Sequence, residues 1–128
     1  MREASFEIRE SACEKLRAYA VKAYPEESCG VLLSSGNGVI EDVCPMDNAA
    51  PSEMADRHYR IDPLAFYELE KKAAGNGYEV CGFFHSHPDC PAIPSGEDEE
   101  KMIPEMLYVI VAVENGRCTE MNGFIRER

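Results

Sequence analysis

The sequence predicts an α/β domain of three layers, in which a mixed central β-sheet is flanked by helices. Short strand-like runs alternate along the chain with segments whose apolar residues recur at helical spacing. Turns rich in glycine, asparagine or proline separate these segments. The 128 residues suffice for one core, and no repeat or linker divides them. Residues 1–128 are therefore predicted to form one domain.

The first half of the chain predicts a strand, a helix and a hairpin. Residues 5–9 alternate in polarity like a strand. Residues 11–24 place apolar side chains at helical spacing, namely Leu16, Tyr19, Ala20 and Ala23. Residues 29–33 and 39–43 then predict two strands, which a Gly-Asn-Gly turn joins into a hairpin.

The second half begins with a polar connection over residues 44–56. Asp62 before Pro63 predicts the start of a helix that runs to Ala74. A buried strand over residues 78–87 and a proline-broken loop over residues 88–94 are predicted to follow it. A short acidic helix from residue 95 to about 104 comes next. Residues 107–113 and 118–125 are predicted to form a final hairpin.

Charge and hydropathy exclude two classes of partner. The chain carries 13 Lys and Arg against 24 Asp and Glu, a net charge of -11, and no segment concentrates its cations. A nucleic-acid partner is therefore not expected, because phosphate binding needs clustered positive charge. No apolar run is long enough to cross a bilayer, and the N-terminus has no signal-like apolar region. We expect a cytoplasmic protein without a membrane partner.

Six cysteines are scattered through the chain without any Cys-x-x-Cys pair. Neither a redox motif nor a four-thiolate zinc site is indicated. In a cytoplasmic protein these side chains are expected to be reduced thiols.

Two histidines and a distant aspartate form the candidate metal site. Side chains alternate between the faces of a strand, so His85 and His87 project to the same side. The proline-broken loop lets the chain turn back, so that Asp98 in the next helix can lie beside the strand end. Two imidazole nitrogens and one carboxylate oxygen suit zinc and leave a fourth coordination position open for water. We predict one Zn²⁺ per chain, held by His85, His87 and Asp98.

A hydrolase with such a site also needs a base that takes a proton from water and delivers it to the leaving amine. A carboxylate is the usual choice. Glu27 stands at the start of the strand predicted over residues 29–33, which would lie beside the His85 strand if both belong to the central sheet. Glu27 is therefore the candidate general base.

These residues resemble the signature of the JAMM, or MPN+, metalloprotease family. That signature is a glutamate far upstream, then His-Ser-His-Pro, six residues, serine, two residues and aspartate. Every position is filled here, by Glu27, residues 85–88, Ser95 and Asp98. Residues 27–30 also resemble the Glu-x-Cys-Gly segment that carries the family's general base, which favours Glu27 over Glu26.

The resemblance implies a role for each of these residues. His85, His87 and Asp98 would be zinc ligands, Glu27 would transfer the proton, and Ser95 would donate to the oxyanion of the tetrahedral intermediate. The resemblance also implies the compact core of that family, whose architecture is related to that of the zinc deaminases. Long insertions of the eukaryotic deubiquitinating members are absent, so a preformed ubiquitin-selecting clamp is not expected.

Residues 45–50 and 59–62 are similar to those of short bacterial family members that act on ubiquitin-like sulfur-carrier proteins. Such enzymes release the C-terminal di-glycine end of a carrier from an attached cysteine or other amine. The resemblance thus implies a sulfur-carrier partner with a Gly-Gly C-terminus. Because that tail has no side chains, we expect it to bind through backbone hydrogen bonds, as an added strand near Glu27 or residues 44–56.

Simpler interpretations remain open for the single residues. A His-x-His pair is often only structural, and Ser95-x-x-Asp98 also fits a helix N-cap. If Asp98 both caps the helix and binds metal, we expect it to use a different oxygen for each. Glu27 could belong to a solvated acidic pair, and His58 fits a loop or packing role. Cys90 could contact the metal or be a partly exposed thiol.

The same residues argue against other kinds of metal-dependent enzyme. Three histidines are too few for a metallo-β-lactamase site, and the deaminase and His-Glu-x-x-His signatures do not occur. One alternative is a non-catalytic MPN scaffold, although such domains usually lack the ligands. A general deubiquitinase-like peptidase is the other.

Overall fold

Eight strands and three α-helices make up the computed structural model, which describes residues 1–56 and 58–128. In chain order they are β1 (Arg2–Ala4), β2 (Glu7–Ile8), α1 (Glu10–Ala23), β3 (Cys29–Ser34), β4 (Val39–Ile40), β5 (Asp42–Met46), α2 (Pro63–Gly75), β6 (Glu79–Pro88), α3 (Gly96–Lys101), β7 (Leu107–Glu114) and β8 (Arg117–Ile125). A short 3₁₀ turn covers Ser52–Met54.

Six of the strands form one mixed sheet in the order β1-β8-β7-β6-β3-β5. β6 and β7 run parallel, whereas all other neighbouring pairs are antiparallel. The predicted mixed sheet is therefore confirmed. Both β3 and β6 lie in its interior, each hydrogen-bonded on two sides, so side chains near the end of β6 are shielded from water.

Alternation along the strands gives the sheet two apolar faces. On one face, α1 packs against a cluster that includes Leu32, Phe84 and Val109. On the other face, α2 packs against a cluster that includes Phe83 and Ile110. Helices cover both faces of the sheet, which confirms the three-layer architecture.

The helices follow local signals in the sequence. α1 buries Ala12, Leu16 and Ala20, which lie four residues apart on one stripe. At the start of α2, Asp62 accepts a hydrogen bond from the Ala65 amide at 3.0 Å, as the Asp-Pro start predicts. Among the residues described, no helix is both long and apolar enough to cross a bilayer.

The N-terminal strand differs from the prediction over residues 5–9. It is split into β1, which pairs with β8 at one edge of the sheet, and β2, which pairs in parallel with β4. The break falls at Phe6, whose ring lies where a side chain of Gly123 would otherwise be. The apolar ring packs against the core there, so the chain leaves the sheet edge after β1.

The partner of β3 also differs from the predicted segment, residues 39–43. β5 begins at Asp42 and continues to Met46, where the polar connection was expected, while Val39–Ile40 pairs with β2 instead. Pro45 lies within this strand. It is tolerated because β5 is an edge strand, where a missing N–H need not face a neighbour.

Gly30 is required by the packing of β3 against its neighbours. A Cβ atom at this position would meet the Cys44 carbonyl oxygen and the Phe84 ring. We expect Gly30→Ala to lower the free energy of unfolding by about 1–3 kcal/mol through overpacking. Gly75→Ala is the control, since nothing lies within 4 Å of its Cβ position, and it should change stability by less than about 1 kcal/mol. Urea unfolding of both variants measures this. Equal midpoints would contradict the packing account.

Candidate metal centre

The end of β6 carries His85 and His87 to one face of the sheet. Their Nε2 atoms lie 3.2 Å apart, and the two residues are only 1% and 7% exposed. β3 shields one side of the strand, where Cys29 stands opposite His85, and β7 shields the other, where Ala112 is aligned with His87. The predicted convergence of the two imidazoles is thus what the structure shows.

Contacts around each ring orient the pair. The Nδ1 atom of His87 lies 2.8 Å from the Pro91 carbonyl oxygen. A carbonyl can only accept, so the ring proton sits on Nδ1 and the Nε2 atom faces the site. Tyr59 stacks on His85, with ring centroids 4.5 Å apart and planes inclined by 22°. Both rings are therefore held by groups outside β6.

Asp98 completes the cluster from the first turn of α3. Its Oδ2 atom lies 2.9 Å from the Nε2 of His87 and 3.2 Å from that of His85. The Ser95 hydroxyl accepts from the Asp98 amide at 3.0 Å, and the Ser95 amide donates to the Asp98 carboxylate at 2.9 Å. This reciprocal capping box fixes where the carboxylate points.

One expectation about Asp98 is wrong. Capping and ligation were expected to use different carboxylate oxygens, yet the same Oδ2 accepts from the Ser95 amide and faces both histidines. A carboxylate oxygen has two lone-pair directions, so one can serve the helix cap while the other faces the imidazoles. The Oδ2 atom of Asp98 therefore belongs both to the helix cap and to the candidate site.

The three atoms have the spacing of a zinc ligand set. Zinc bonds of about 2.0–2.1 Å at tetrahedral angles place neighbouring ligand atoms about 3.3 Å apart. The observed separations are 3.2, 3.2 and 2.9 Å. Two imidazole nitrogens and a carboxylate oxygen also form a donor set typical of catalytic zinc sites. The residues present fit a zinc ion.

The pKa shifts of the three side chains favour the binding of a cation. Burial would raise the pKa of Asp98, but hydrogen bonds with His85 and His87 outweigh it and hold that pKa well below its usual range. Burial lowers the pKa of His85. Burial would also lower the pKa of His87, but bonds to Asp98 and Pro91 outweigh it and raise that pKa. A proton and a metal ion therefore compete for the Nε2 atom of His87.

Glu27 lies just before β3 and faces the same pocket. One carboxylate oxygen of Glu27 and one nitrogen from each of His85 and His87 all lie within 4.8 Å of one another. Glu27 is 6% exposed, and its Oε1 atom is buried without a hydrogen-bond partner among the described residues. Burial raises the pKa of Glu27 to about 7. The interpretation of Glu27 as one of a solvated acidic pair is therefore wrong.

Two carboxylates thus compete for the role of third ligand. Asp98 has one oxygen within 3.2 Å of both Nε2 atoms and is fixed by the cap. Glu27 forms a looser group with the histidines, within 4.8 Å, and keeps an unpartnered oxygen. The closer and better-held oxygen of Asp98 suits ligation, whereas the free oxygen of Glu27 suits proton transfer.

Ser95 is exposed at the rim of the site. Its Oγ atom acts as an acceptor in the helix cap, which leaves the hydroxyl proton available for donation. Ser95 therefore lies beside Asp98 with a hydroxyl proton free to donate.

His58 and Cys90 fit the simpler interpretations, and a third residue, Cys29, lies opposite His85 in the core. His58 is a loop residue, and its Nδ1 atom lies 2.7 Å from a carboxylate oxygen of Glu97. Cys90 is exposed, and all six cysteines are free thiols. Cys29 is buried, and burial raises its pKa to about 12, so it is a protonated core thiol.

The sequence reasoning missed the roles of Asn48 and Tyr59. The Asn48 side chain bonds to backbone groups of Glu27, Ala50, His58 and Arg60. The local signal was an asparagine in a polar loop, a residue type that bonds its own backbone two positions on. Stacking of Tyr59 on His85 has no comparable signal, because it joins residues far apart in sequence.

Comparison with known proteins agrees with this geometry. A family model described as prokaryotic homologs of the JAB domain matches residues 9–123. The chain is 34% identical over 105 residues to the probable TtuB-protein conjugate cleaving protease of Thermus thermophilus, spanning 82% of this chain and 68% of that protein. It is 29% identical over 115 residues to a desampylase of Haloferax volcanii, spanning 88% of this chain and 81% of that protein.

A solved structure shows the same fold. The JAB1/MPN domain protein AF2198 of Archaeoglobus fulgidus superposes with a TM-score of 0.62 over 94% of this chain and 89% of its own, at 18% identity. The match to the family model extends from the start of α1 nearly to the end of β8 and includes every residue of the candidate site. The chain therefore belongs to the prokaryotic branch of the JAB, or JAMM/MPN, family.

Proposed function

We propose that this protein is a zinc-dependent peptidase that hydrolyses the bond after the C-terminal Gly-Gly of a ubiquitin-like sulfur-carrier protein conjugate. The class of reaction, hydrolysis of a peptide or isopeptide bond, agrees with the family and with relatives named as conjugate-cleaving proteases and desampylases. The observation that carries the proposal is the convergence of His85, His87 and Asp98, with a carboxylate oxygen of Glu27 within 4.8 Å of one nitrogen of each histidine.

The ligands in this proposal are the Nε2 atoms of His85 and His87 and the Oδ2 atom of Asp98, with one zinc ion per chain. A bound zinc supplies Lewis acidity, which polarises a carbonyl and makes water more acidic. The capping box and the Pro91 carbonyl preorganise these three atoms, so little rearrangement is needed when the ion enters.

Glu27 is the general base and then the general acid in this proposal. Its Oε1 atom accepts a proton from the attacking water and returns it to the nitrogen of the leaving amine. The pocket suits this transfer because Oε1 is buried and has no other partner among the described residues. Ser95 would donate its hydroxyl proton to the oxyanion that forms on the scissile carbonyl, an interaction worth a few kcal/mol in comparable sites.

The Gly-Gly tail is proposed to bind as an added strand near Glu27 or the connection after β5. β3 is hydrogen-bonded on both sides, so it cannot accept a further strand. β5 lies at the sheet edge, and its last residue, Met46, pairs with Cys29 two positions from Glu27. A tail lying along this edge or the connection that follows it would lead toward the site. The proposed setting is the cytoplasm.

Two variants separate the base from the ligands. His87→Ala should lose both zinc and activity, because it removes a ligand. Glu27→Gln should keep about one zinc per chain yet lose at least about 100-fold in kcat, because it removes the proton acceptor. Metal analysis and turnover of the purified variants measure both effects.

Wild-type turnover by Glu27→Gln would remove Glu27 from the mechanism. Loss of zinc from this variant would instead make Glu27 a ligand. A wild-type protein that holds no zinc after careful purification would favour the non-catalytic scaffold.

The substrate proposal is tested with three cysteine conjugates, two of a sulfur carrier and one of a short peptide. The native Gly-Gly carrier should be cleaved, whereas a carrier with Val at its last position should lose at least about tenfold in kcat/KM, because the proposed site recognises the backbone of a tail that has no side chains. A short Gly-Gly peptide conjugate should also be cleaved poorly. Mass spectrometry of the released carrier gives the rates.

Equal cleavage of the peptide and the folded carrier would favour a general deubiquitinase-like peptidase. Unchanged cleavage of the native conjugate after residues 49–56 are shortened would remove that connection from the tail site.

A further inference from the structure

Asn48, which follows β5, uses every hydrogen-bonding direction of its side chain. Its Nδ2 atom donates to the carbonyl oxygens of Glu27 at 3.2 Å and His58 at 2.9 Å. Its Oδ1 atom accepts from the amides of Ala50 at 3.0 Å and Arg60 at 3.1 Å. A single side chain thus joins Glu27, two residues before β3, to two separate parts of the connection between β5 and α2.

Both backbone groups of Glu27 are held by this connection rather than by the sheet. Its amide donates to the Ala55 carbonyl at 2.7 Å, and its carbonyl accepts from Asn48. Glu27 precedes the first residue of β3, so the ladders that fix Cys29 and later residues do not include it. Its Oε1 atom has no partner among the described residues, so its position is set mainly through its backbone.

The same side chain fixes the residues on either side of Tyr59. The His58 carbonyl and the Arg60 amide both bind Asn48, and the Arg60 carbonyl accepts from the Ala49 amide at 2.7 Å. These bonds hold the backbone of Tyr59, whose ring stacks on His85. Asn48 therefore connects to two residues of the candidate centre, Glu27 and Tyr59, through the backbone.

We propose that Asn48 is a positioning residue, which holds Glu27 and Tyr59 in place over the metal centre. The proposal rests on the proposed function for its catalytic consequence, because Glu27 must reach the substrate water for hydrolysis. A displacement of about 1 Å in such a group can cost about 100-fold in rate. Asn48 is not one of the proposed ligands, and the four hydrogen bonds of its side chain all go to backbone groups of this chain.

Asn48→Asp isolates the donor half of this arrangement. The variant keeps an oxygen for the Ala50 and Arg60 amides but places a second oxygen against the carbonyls of Glu27 and His58. These two bonds become repulsive contacts. Asn76→Asp is the matched control, because the Asn76 side chain donates to the Lys72 carbonyl at the exposed end of α2, far from the site in sequence.

Kinetics on the Gly-Gly conjugate test the catalytic consequence. Asn48→Asp should lower kcat about 10- to 100-fold with KM within about threefold and with zinc content unchanged. In a Glu27→Gln background the same substitution should add less than about a threefold loss, since the group it positions is already disabled. Asn76→Asp should match the wild type.

A merely structural role for Asn48 gives a different result. The substitution would then lower activity by the same factor in both backgrounds, or zinc would be lost together with activity. Either outcome, or wild-type kcat in Asn48→Asp, overturns the proposal.

Amide hydrogen exchange in the full-length, metal-free protein tests the positioning without any substrate. Asn48→Asp should speed exchange of the Glu27 and Ala49 amides by about tenfold or more, because the connection that protects them is loosened. Core amides such as that of Val109 should not change. Unchanged exchange at Glu27 and Ala49 would overturn the proposal even if the protein proves to be a peptidase. A wild-type chain that cleaves no Gly-Gly conjugate would instead overturn the proposed function, while the exchange result still decides the role of Asn48.

Discussion

The site depends on one contact, in which a single carboxylate oxygen faces two imidazole nitrogens in a buried pocket. Asp98 places this oxygen within 3.2 Å of both Nε2 atoms, and a helix cap holds it there. The histidines come from an interior strand that neighbours pair on both sides. Three electron-rich atoms held this close repel one another unless a proton or a cation lies between them. The fold thus holds together a group of atoms that is completed by a positive charge.

Much of this arrangement follows from short-range features of the sequence. The period-two alternation of a strand brings His85 and His87 to one face, and the spacing from Ser95 to Asp98 predicts the cap. The mixed sheet between helix layers follows from the order of elements. The pairing of the histidines and the cap were predictable because each depends on residues a few positions apart, and the sheet was predictable because the elements alternate along the chain.

Other features depend on residues that are distant in sequence, and the sequence alone did not reveal them. β5 continues through Pro45 because the strand lies at an edge, which is a property of the whole sheet. The use of one Asp98 oxygen for both cap and cluster depends on the direction from which α3 approaches β6. Asn48 joins Glu27 to Arg60, and neither contact leaves a periodic pattern. In each case tertiary structure selects among local possibilities.

The most direct test of the central claim is a crystal structure of the zinc-loaded protein with anomalous diffraction data at the zinc edge. Our account predicts one zinc peak per chain, bonded at about 2.0–2.2 Å to the Nε2 atoms of His85 and His87 and to an oxygen of Asp98, with the Glu27 carboxylate close by but not bonded. A zinc ion bonded to Glu27 with Asp98 turned away, or located elsewhere on the chain, would contradict it.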